Sequence, residues 1–393
     1  MPTDYRGASM KAITRLKNDE RGFSLVFIGL GFMAFLAASM LAIDVGMLMT
    51  ARNQAQNSAD AGALAGATAL VFDSYSNRTA TGPAVTNALT TSRSNQVMRV
   101  TVSVNPADVT FPLGPTGLNN RVKVNVFRQA ARGNPVSTLI ARYFGRPTSD
   151  IQATATAEAS PANAETCVKP FTIPDRWREM QDPRWDPELS TFDAVDKKMK
   201  PLAKPDIYIG PEDKANYTGY NADRDKGIEI VLKADNGTKV SPSFYNPYDM
   251  KGSTGASDYR WNIGNCNTNI MHPGEIFPPE PGNMVGPTKQ GMDDLIAKDP
   301  DARWDTTSNR VISSKQPSPR IVIIPLYDPA YYDAGKRNGR NASLKFVNYL
   351  GFFIEDMVGG QVRGRITPVG GIIDKTAGPA PPAIFPMAIR LVQ

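Results

Sequence analysis

An uninterrupted apolar run near the N-terminus, residues 23–43 (FSLVFIGLGFMAFLAASMLAI), constrains this chain more than any other feature. As a helix rising about 1.5 Å per residue, the run spans roughly 31 Å, the thickness of a bilayer's hydrocarbon core. Asp44 ends the run, and because a carboxylate at mid-membrane is costly, Asp44 is predicted to lie at the membrane interface. The run therefore predicts a single transmembrane helix over 23–43.

Basic residues are concentrated on one side of this run. Five of them precede it: Arg6, Lys11, Arg15, Lys17 and Arg21. A stretch of comparable length after the run holds only Arg52. Because positively charged flanks stay on the cytoplasmic side, residues 1–22 are predicted to be cytoplasmic and residues from Asp44 onward extracytoplasmic.

Two kinds of N-terminal processing compete with a retained anchor. A cleaved signal peptide usually has a shorter apolar region, although small residues at Ala63 and Ala65 have the spacing of a cleavage site. The residues around Gly22-Phe23 resemble the processing site of type IV prepilins. Those proteins carry Glu at the fifth mature position, where this chain has Phe27. The departure favours a retained helix, and processing at Gly22-Phe23 stays open.

The helical pattern continues beyond the membrane, because residues 44–72 contain no proline and many alanines. Small residues recur here at helical spacing, on one face as Ala55, Ala59, Ala63 and Ala67 and on an adjoining face as Gly62 and Gly66. A face of small residues lets another backbone approach closely. Either the chain's own sheet or a helix of a partner protein can cover it.

The segment after this helix has the signature of a small antiparallel sheet. Residues 73–95 are predicted as a loop or weak helix, and residues 135–144 as a short amphipathic helix. Alternating apolar and polar residues predict strands over 97–104, 122–126 and 151–159. A long helix with a small antiparallel sheet is the plan of pseudopilins, so residues 44–160 are predicted to form a pseudopilin-like unit.

Residues 161–393 have a different composition, rich in Pro, Asp, Trp and Tyr, and are predicted to form a loop-rich, mostly β extracytoplasmic domain. Strands are predicted over 227–233, 320–326, 346–358, 362–366 and 388–392. Gly359-Gly360 predicts a hairpin between two of them. The expected fold class is α+β.

Two cysteines, Cys167 and Cys266, lie in the predicted exported region. Cysteines in such a compartment more often pair than remain free. Closing a loop of this length contributes about 4–5 kcal/mol on the chain-entropy model. A disulfide is therefore expected, with free thiols as the alternative. The two cysteines and the single histidine, His272, match no common zinc pattern.

Catalytic motifs are missing from the sequence. His272 lies in a loop, and the chain has neither a Gly-x-Ser-x-Gly elbow nor a Walker or dinucleotide-binding motif. No enzyme activity, cofactor or metal is predicted. Asp182, Asp186 and Glu188 offer calcium ligands, but a solvated acidic loop is the stronger interpretation. The net charge of +6 comes without a basic run, so no nucleic-acid partner is expected.

Several aromatic residues in the outer region fit either a contact surface for sugar or protein, or core and loop-packing roles. They are Trp177, Trp185, Tyr327, Tyr331 and Tyr332. Core or loop packing is the stronger interpretation.

A family resemblance rests on Asp44-Val45-Gly46, on residues 56–61 (QNSADA) and on residues 64–67 (LAGA). These resemble the N-terminal region of TadE/TadG-like proteins of tight-adherence (Flp) pilus systems, over about residues 20–70. The resemblance implies a bacterial inner-membrane protein without enzymatic activity. It also implies a role in pilus assembly or anchoring, with other pilus or secretion proteins, pseudopilins among them, as partners and with oligomers as an option. The alternative is an anchored periplasmic binding or adhesion module unrelated to pili.

Overall fold

The computed structural model describes residues 21–115, 117–182, 184–196, 198, 200–235, 239–253, 255–337 and 342–392. Its longest element is helix α1 (Arg21–Phe72), whose 52 residues make it about 78 Å long. Among the described residues, α1 is the one helix long and apolar enough to cross a membrane. The predicted helix that continues past Asp44 is thus confirmed. Four of the five basic residues on which the predicted orientation rests, Arg6, Lys11, Arg15 and Lys17, lie outside the described residues.

The remaining elements are short helices and strands. The helices are α2 (Pro83–Ser94), α3 (Ala222–Asp225), α4 (Gly255–Gly264), α5 (Val285–Ala297) and α6 (Pro329–Arg337). The strands are β1 (Gln96–Val97), β2 (Val100–Thr101), β3 (Val109–Thr110), β4 (Arg121–Arg128), β5 (Val136–Ser137), β6 (Thr148–Ser149), β7 (Ile151–Pro161), β8 (Phe171–Pro174), β9 (Glu229–Ala234), β10 (Phe244–Pro247), β11 (Ile276–Phe277), β12 (Arg303–Asp305), β13 (Arg310–Ile312), β14 (Ile321–Tyr327), β15 (Leu344–Val358), β16 (Gln361–Ile366) and β17 (Met387–Leu391).

The outer part of α1 packs on a four-stranded antiparallel sheet in the order β17-β7-β4-β3. Strand β4 alternates as predicted, with Val122, Val124 and Val126 fully buried and the residues between them partly exposed. Strand β7 contributes alanines to the same core. Because alanines line both α1 and β7, the helix lies close to the sheet.

The last strand of the chain belongs to this first sheet. Strand β17 pairs antiparallel with β7, and Ile389 lies opposite Ala159. The sequence does not predict this pairing. A boundary after residue 160 remains a prediction, and β17 crosses back over it.

The outer region forms a closed barrel. Strands β15, β14, β8, β10, β9 and β16 pair in that order, and β16 pairs again with β15, while β11 adds to the outside of β15. Closure leaves the six barrel strands without a free edge. The predicted hairpin at Gly359-Gly360 joins β15 and β16, and both glycines have positive φ. The fold is thus mixed α+β, with a long N-terminal apolar helix and a mostly β C-terminal part.

Two local predictions are wrong. Residues 97–104 do not form one strand, because Met98 and Arg99 have φ of 50° and 63° and turn the chain between β1 and β2. Residues 135–144 do not form an amphipathic helix. They contribute strand β5 and a single 3-10 turn, Ala141–Phe144, because Val136 and Ser137 pair with β6 in a hairpin.

Cys167 and Cys266 form the expected disulfide, across a sequence separation of 99 residues. The bond ties the chain just before β8 to the chain just after α4. The Cys167 N–H also donates to the carbonyl oxygen of Asn267 at 2.8 Å. The disulfide therefore fastens two irregular segments onto the barrel.

Exchange of Gly66 for leucine tests the close packing around α1. A Cβ at Gly66 would lie 2.7 Å from Val122 Cγ1 and 3.2 Å from the Ala84 carbonyl oxygen. We expect Gly66→Leu to lower the free energy of unfolding by about 1–3 kcal/mol, the usual cost of overpacking. Gly46→Leu is the matched control, since a Cβ at Gly46 meets nothing within 4 Å. Pulse proteolysis of the detergent-solubilised chain in urea measures both. Equal stability of the two variants would contradict the packing.

Glu165 gives the fold a pH dependence. Its carboxyl group is 2% exposed, Oε1 has no hydrogen-bond partner in the described part of the chain, and burial raises the pKa to about 8. The folded protein therefore keeps a proton that the unfolded chain releases above its ordinary pKa of 4.5.

The stability contributed by that proton is complete below pH 4.5 and is lost as the pH rises to about 8, by up to about 1.4 kcal/mol per pH unit. We expect Glu165→Gln to flatten this slope in urea unfolding measured across that range. The exposed Glu212→Gln serves as control. An unchanged slope in Glu165→Gln would refute the assignment.

Candidate functional site

The carboxylate of Asp44, at the end of the predicted span, holds a distant loop. Its Oδ1 accepts the backbone N–H of Leu139 at 2.8 Å, and its Oδ2 accepts those of Ile140 and Ala141 at 2.9 and 2.6 Å. Asp44 is 2% exposed. Burial by itself would raise the pKa of this carboxyl group, but the three backbone donors outweigh it and lower the pKa from its ordinary value of 3.8. The carboxylate is thus ionised at neutral pH, and its hydrogen bonds are charge-assisted.

The loop that Asp44 holds is closed on itself. We name residues 138–147, the tip of the β5–β6 hairpin, the exit loop. Thr138 donates its N–H to the Pro147 carbonyl at 3.1 Å and its hydroxyl to the Arg146 carbonyl at 2.6 Å. Arg146 N–H donates to the Ala141 carbonyl at 2.9 Å. These bonds leave the N–H groups at the start of the 3-10 turn free for Asp44.

The hairpin lies along α1 beside the membrane exit. A cleft of about 290 Å³ separates its base from the helix, lined by Val45, Leu48, Met49, Arg52, Ser149, Asp150 and Ile151. The base of the hairpin therefore lies level with residues 45–52, and its tip lies level with Asp44. The exit loop is thus bonded to Asp44, the residue at which the predicted span ends.

Polar side chains farther along α1 form hydrogen bonds with the backbone of the β1–β2 turn, of β7 and of α2. Gln54 Oε1 accepts the Met98 N–H at 2.8 Å, and Gln56 Nε2 donates to the Thr154 carbonyl at 3.1 Å. Ser58 donates its hydroxyl to the carbonyl oxygen at position 92 at 2.8 Å. The sequence did not assign roles to these residues, because their partners are far away along the chain.

The small-residue faces of α1 are covered within the chain itself. The alanine face, Ala55, Ala59, Ala63 and Ala67, is at most 1% exposed and belongs to the core shared with β4 and β7. Gly62 and Gly66 face α2, close to Ala88 and Ala84. The sequence left open whether the chain's own sheet or a helix of a partner protein covers these faces. In this structure the chain's own sheet and α2 cover them. Arg52, Asn53 and Asn57 remain exposed.

The histidine and the acidic residues considered as metal ligands in the outer region make hydrogen bonds within the chain. His272 Nε2 lies 3.0 Å from Asp374 Oδ2, and donors from Thr376, followed by His272, lower the pKa of Asp374 to about 2. Asp186 accepts the N–H groups of Glu188 and Leu189. In the described part of the chain, no group of three or more His, Cys, Asp or Glu residues is arranged to hold a metal ion.

Asp182 and Glu188 make separate contacts. Asp182 accepts the Arg184 N–H at 3.1 Å. Glu188 binds strand β9, through the N–H of Val231 at 2.9 Å and the ammonium group of Lys233 at 2.6 Å.

The aromatic residues divide between core and surface. Trp177, Tyr327 and Tyr332 are buried, whereas Tyr331 is exposed. Trp185 is half-buried, and the Arg176 guanidinium lies 4.2 Å from its ring centroid. Trp185 also lines a cleft of about 220 Å³ together with Arg176, Arg178 and Arg224. The sequence did not indicate these arginines, because they are separated along the chain.

Asp44→Asn tests the bonds to the exit loop. An amide has one acceptor oxygen and turns a donor toward the N–H groups, so it cannot replace the carboxylate. We expect hydrogen exchange at the amides of Leu139, Ile140 and Ala141 to speed up roughly tenfold or more, since charge-assisted bonds are lost. Asp150→Asn is the control, because Asp150 binds the Ala130 N–H instead. Unchanged exchange in Asp44→Asn would show that the bonds do not hold the loop.

Comparison with known proteins supports the resemblance in the same segment. Residues 22–69 match the Tad family model, described as "Putative Flp pilus-assembly TadE/G-like". No curated protein and no solved structure matches the chain. The match contains Asp44, the small-residue faces and the polar contacts of α1. The N-terminal helix of this chain is therefore similar to TadE/G-like proteins of Flp pilus assembly, as the sequence motifs predict.

Proposed function

We propose that this chain is a non-enzymatic component of Flp-type pilus assembly or anchoring, held in the bacterial inner membrane by α1. The observation that carries the proposal is that the family match and the membrane-spanning candidate lie on the same helix. The family match at 22–69 falls on the helix that is long and apolar enough to span a membrane, and it continues onto the part of α1 that packs on the first sheet.

Charge and cysteine chemistry support the proposed orientation. The excess of basic residues before the span favours a cytoplasmic N-terminus. The Cys167–Cys266 disulfide is typical of oxidising compartments and favours an extracytoplasmic location for the barrel. In this orientation the first sheet lies next to the membrane and the barrel lies farther out.

The exposed side of α1 is the proposed contact surface for other pilus proteins. The alanine and glycine faces are occupied within the chain, so a partner meets Arg52, Asn53 and Asn57 instead. These side chains lie within the matched segment and just outside the predicted span. A second pseudopilin-like subunit in the same membrane would reach them without unfolding the sheet.

Site-specific photocrosslinking in cells tests the proposal. A photoreactive amino acid at Asn53 or Asn57 should give crosslinks that mass spectrometry identifies as pilus-assembly proteins. Ser308, exposed in the outer region, is the matched control position and should give few such products. Protease treatment of spheroplasts checks the orientation, since the barrel should be cleaved and residues 1–22 protected.

An anchored binding module unrelated to pili is the second candidate. The cleft of Arg176, Arg178 and Arg224 favours it, because Trp185 Nε1 there is buried without a hydrogen-bond partner in the described residues. The same experiment separates the two candidates. Crosslinks from a probe at Arg178 to non-pilus proteins, with none from Asn53 or Asn57, would favour the binding module and count against pilus assembly.

A further inference from the structure

The exit loop exposes large apolar side chains at the point where α1 leaves the predicted membrane span. Leu139, Tyr143 and Phe144 are 52%, 80% and 74% exposed. Arg142 and Arg146 are exposed beside them, and the Arg142 guanidinium lies 5.9 Å from the Tyr143 ring centroid. An exposed cluster that combines apolar, aromatic and basic residues marks an interaction surface.

The hydrogen bonds to Asp44 fix the height of this cluster along α1. Ala141 donates its N–H to Asp44, and Phe144 follows three residues later in the same 3-10 turn. At about 2.0 Å rise per residue, the turn carries Phe144 only about 6 Å farther along its axis. The cluster therefore lies within one helical turn or so of the end of the apolar span.

The surface of α1 at this height is apolar as well. Leu41 and Ile43 are exposed before Asp44, and Val45 and Met49 are exposed after it. The exit loop thus continues an apolar belt that begins on the predicted span itself. A soluble partner would have to cover both the loop and the span, whereas a lipid leaflet covers both at once.

We infer that the exit loop is an interfacial membrane-docking element. Leu139, Tyr143 and Phe144 enter the headgroup and acyl boundary of the outer leaflet, where aromatic side chains concentrate. Arg142 and Arg146 reach phospholipid phosphates while their stems lie on the apolar surface. The inference rests on the proposed membrane anchoring of α1 and goes beyond it, since anchoring by a helix does not require the folded sheet to contact lipid.

The charge of the exit loop, as well as its position, indicates that phospholipid covers it. The two arginines flank the apolar tip without an acidic residue in the exit loop. The Asp44 carboxylate, which binds the loop, is already satisfied by three backbone donors. Cationic side chains at the rim of an apolar tip suit anionic headgroups.

Depth-dependent fluorescence quenching of the full chain in vesicles tests this inference. The vesicles contain phosphatidylethanolamine and phosphatidylglycerol, and nitroxide-labelled lipids act as quenchers. An environment-sensitive fluorophore is attached to one added cysteine at a time, in Phe144→Cys, Leu30→Cys or Leu189→Cys, with the native disulfide kept. Leu30 reports on the predicted span, and Leu189, 80% exposed in the outer region, is the matched control for an apolar probe on a loop.

We expect quenching of at least about twofold at positions 30 and 144 and little at 189, because the loop is buried about 5–10 Å into the interface. Quenching at 30 without quenching at 144 overturns the docking of the loop and leaves the anchor intact. Quenching at neither position overturns the membrane anchor as well. A blue-shifted but unquenched probe at 144 shows that protein, such as a second copy of the chain, covers the loop.

A double variant separates docking from folding. Tyr143→Ser with Phe144→Ser keeps the Asp44 bonds, which involve only backbone donors of the loop. In this variant a probe at Leu139→Cys should lose most of its lipid quenching, while hydrogen exchange at Ile140 and Ala141 stays slow. Full quenching at 139 in the double variant would overturn the role of the two aromatic side chains.

Discussion

The close contact between α1 and the first sheet is the constraint on which the rest of the structure depends. Alanines on the helix meet alanines on β7 and valines on β4, and each of these helix positions is almost completely buried. Because protein interiors are packed as densely as organic crystals, a helix seated this closely has one rotational setting. Gln54 and Gln56 fix the same setting through the backbone of neighbouring segments. The orientation of α1 in a bilayer would therefore be transmitted directly to the folded body.

Asp44 shows how a charge can remain at the boundary between the predicted span and that body. A carboxylate near lipid is unfavourable unless hydrogen-bond donors replace water. Three backbone N–H groups supply these donors, and they come from a loop whose local sequence favours an amphipathic helix. The loop instead forms a single 3-10 turn, since Val136 and Ser137 pair with β6 and the Thr138 N–H donates to the Pro147 carbonyl, which leaves too few residues for a helix. A tertiary contact has here overridden a local preference.

Local patterns predicted the elements that have strong periodicity. The proline-free alanine run predicted α1 past the membrane, and alternation predicted β4 and β7. The apolar runs before and after Gly359-Gly360 predicted β15 and β16. The sequence did not predict β8 and β10, because strands of four residues carry too little periodicity to stand out from loops. Closure of the barrel and the partners of Asp44 depend on contacts nearly a hundred or more residues apart, which leave no local signal.

The pairing of β17 with β7 brings residues 387–391 back to the first sheet, after the chain has passed through the barrel. Glu158 on β7 lies between Arg121 of β4, at 2.8 Å, and Arg390 of β17, at 3.6 Å. Burial raises the pKa of Glu158, but the hydroxyl of Ser160 and the two arginines outweigh it and keep the pKa below its ordinary value. Strand β17 forms one edge of the first sheet and follows all the barrel strands in the sequence. The first sheet is therefore complete only after the whole barrel has been synthesised.

The segment that leads into barrel strand β9 is also bonded to the chain at the far end of α1. Lys226 donates to the Phe72 carbonyl at 2.6 Å, and the Tyr75 N–H donates to Asp223 at 2.8 Å. The body is thus fastened to one helix from Asp44 to Phe72, about 42 Å along its axis. A protein on a flexible tether could present its barrel in any direction. In this chain, hydrogen bonds near the end of α1 and packing along its length restrict where the barrel can lie relative to the helix.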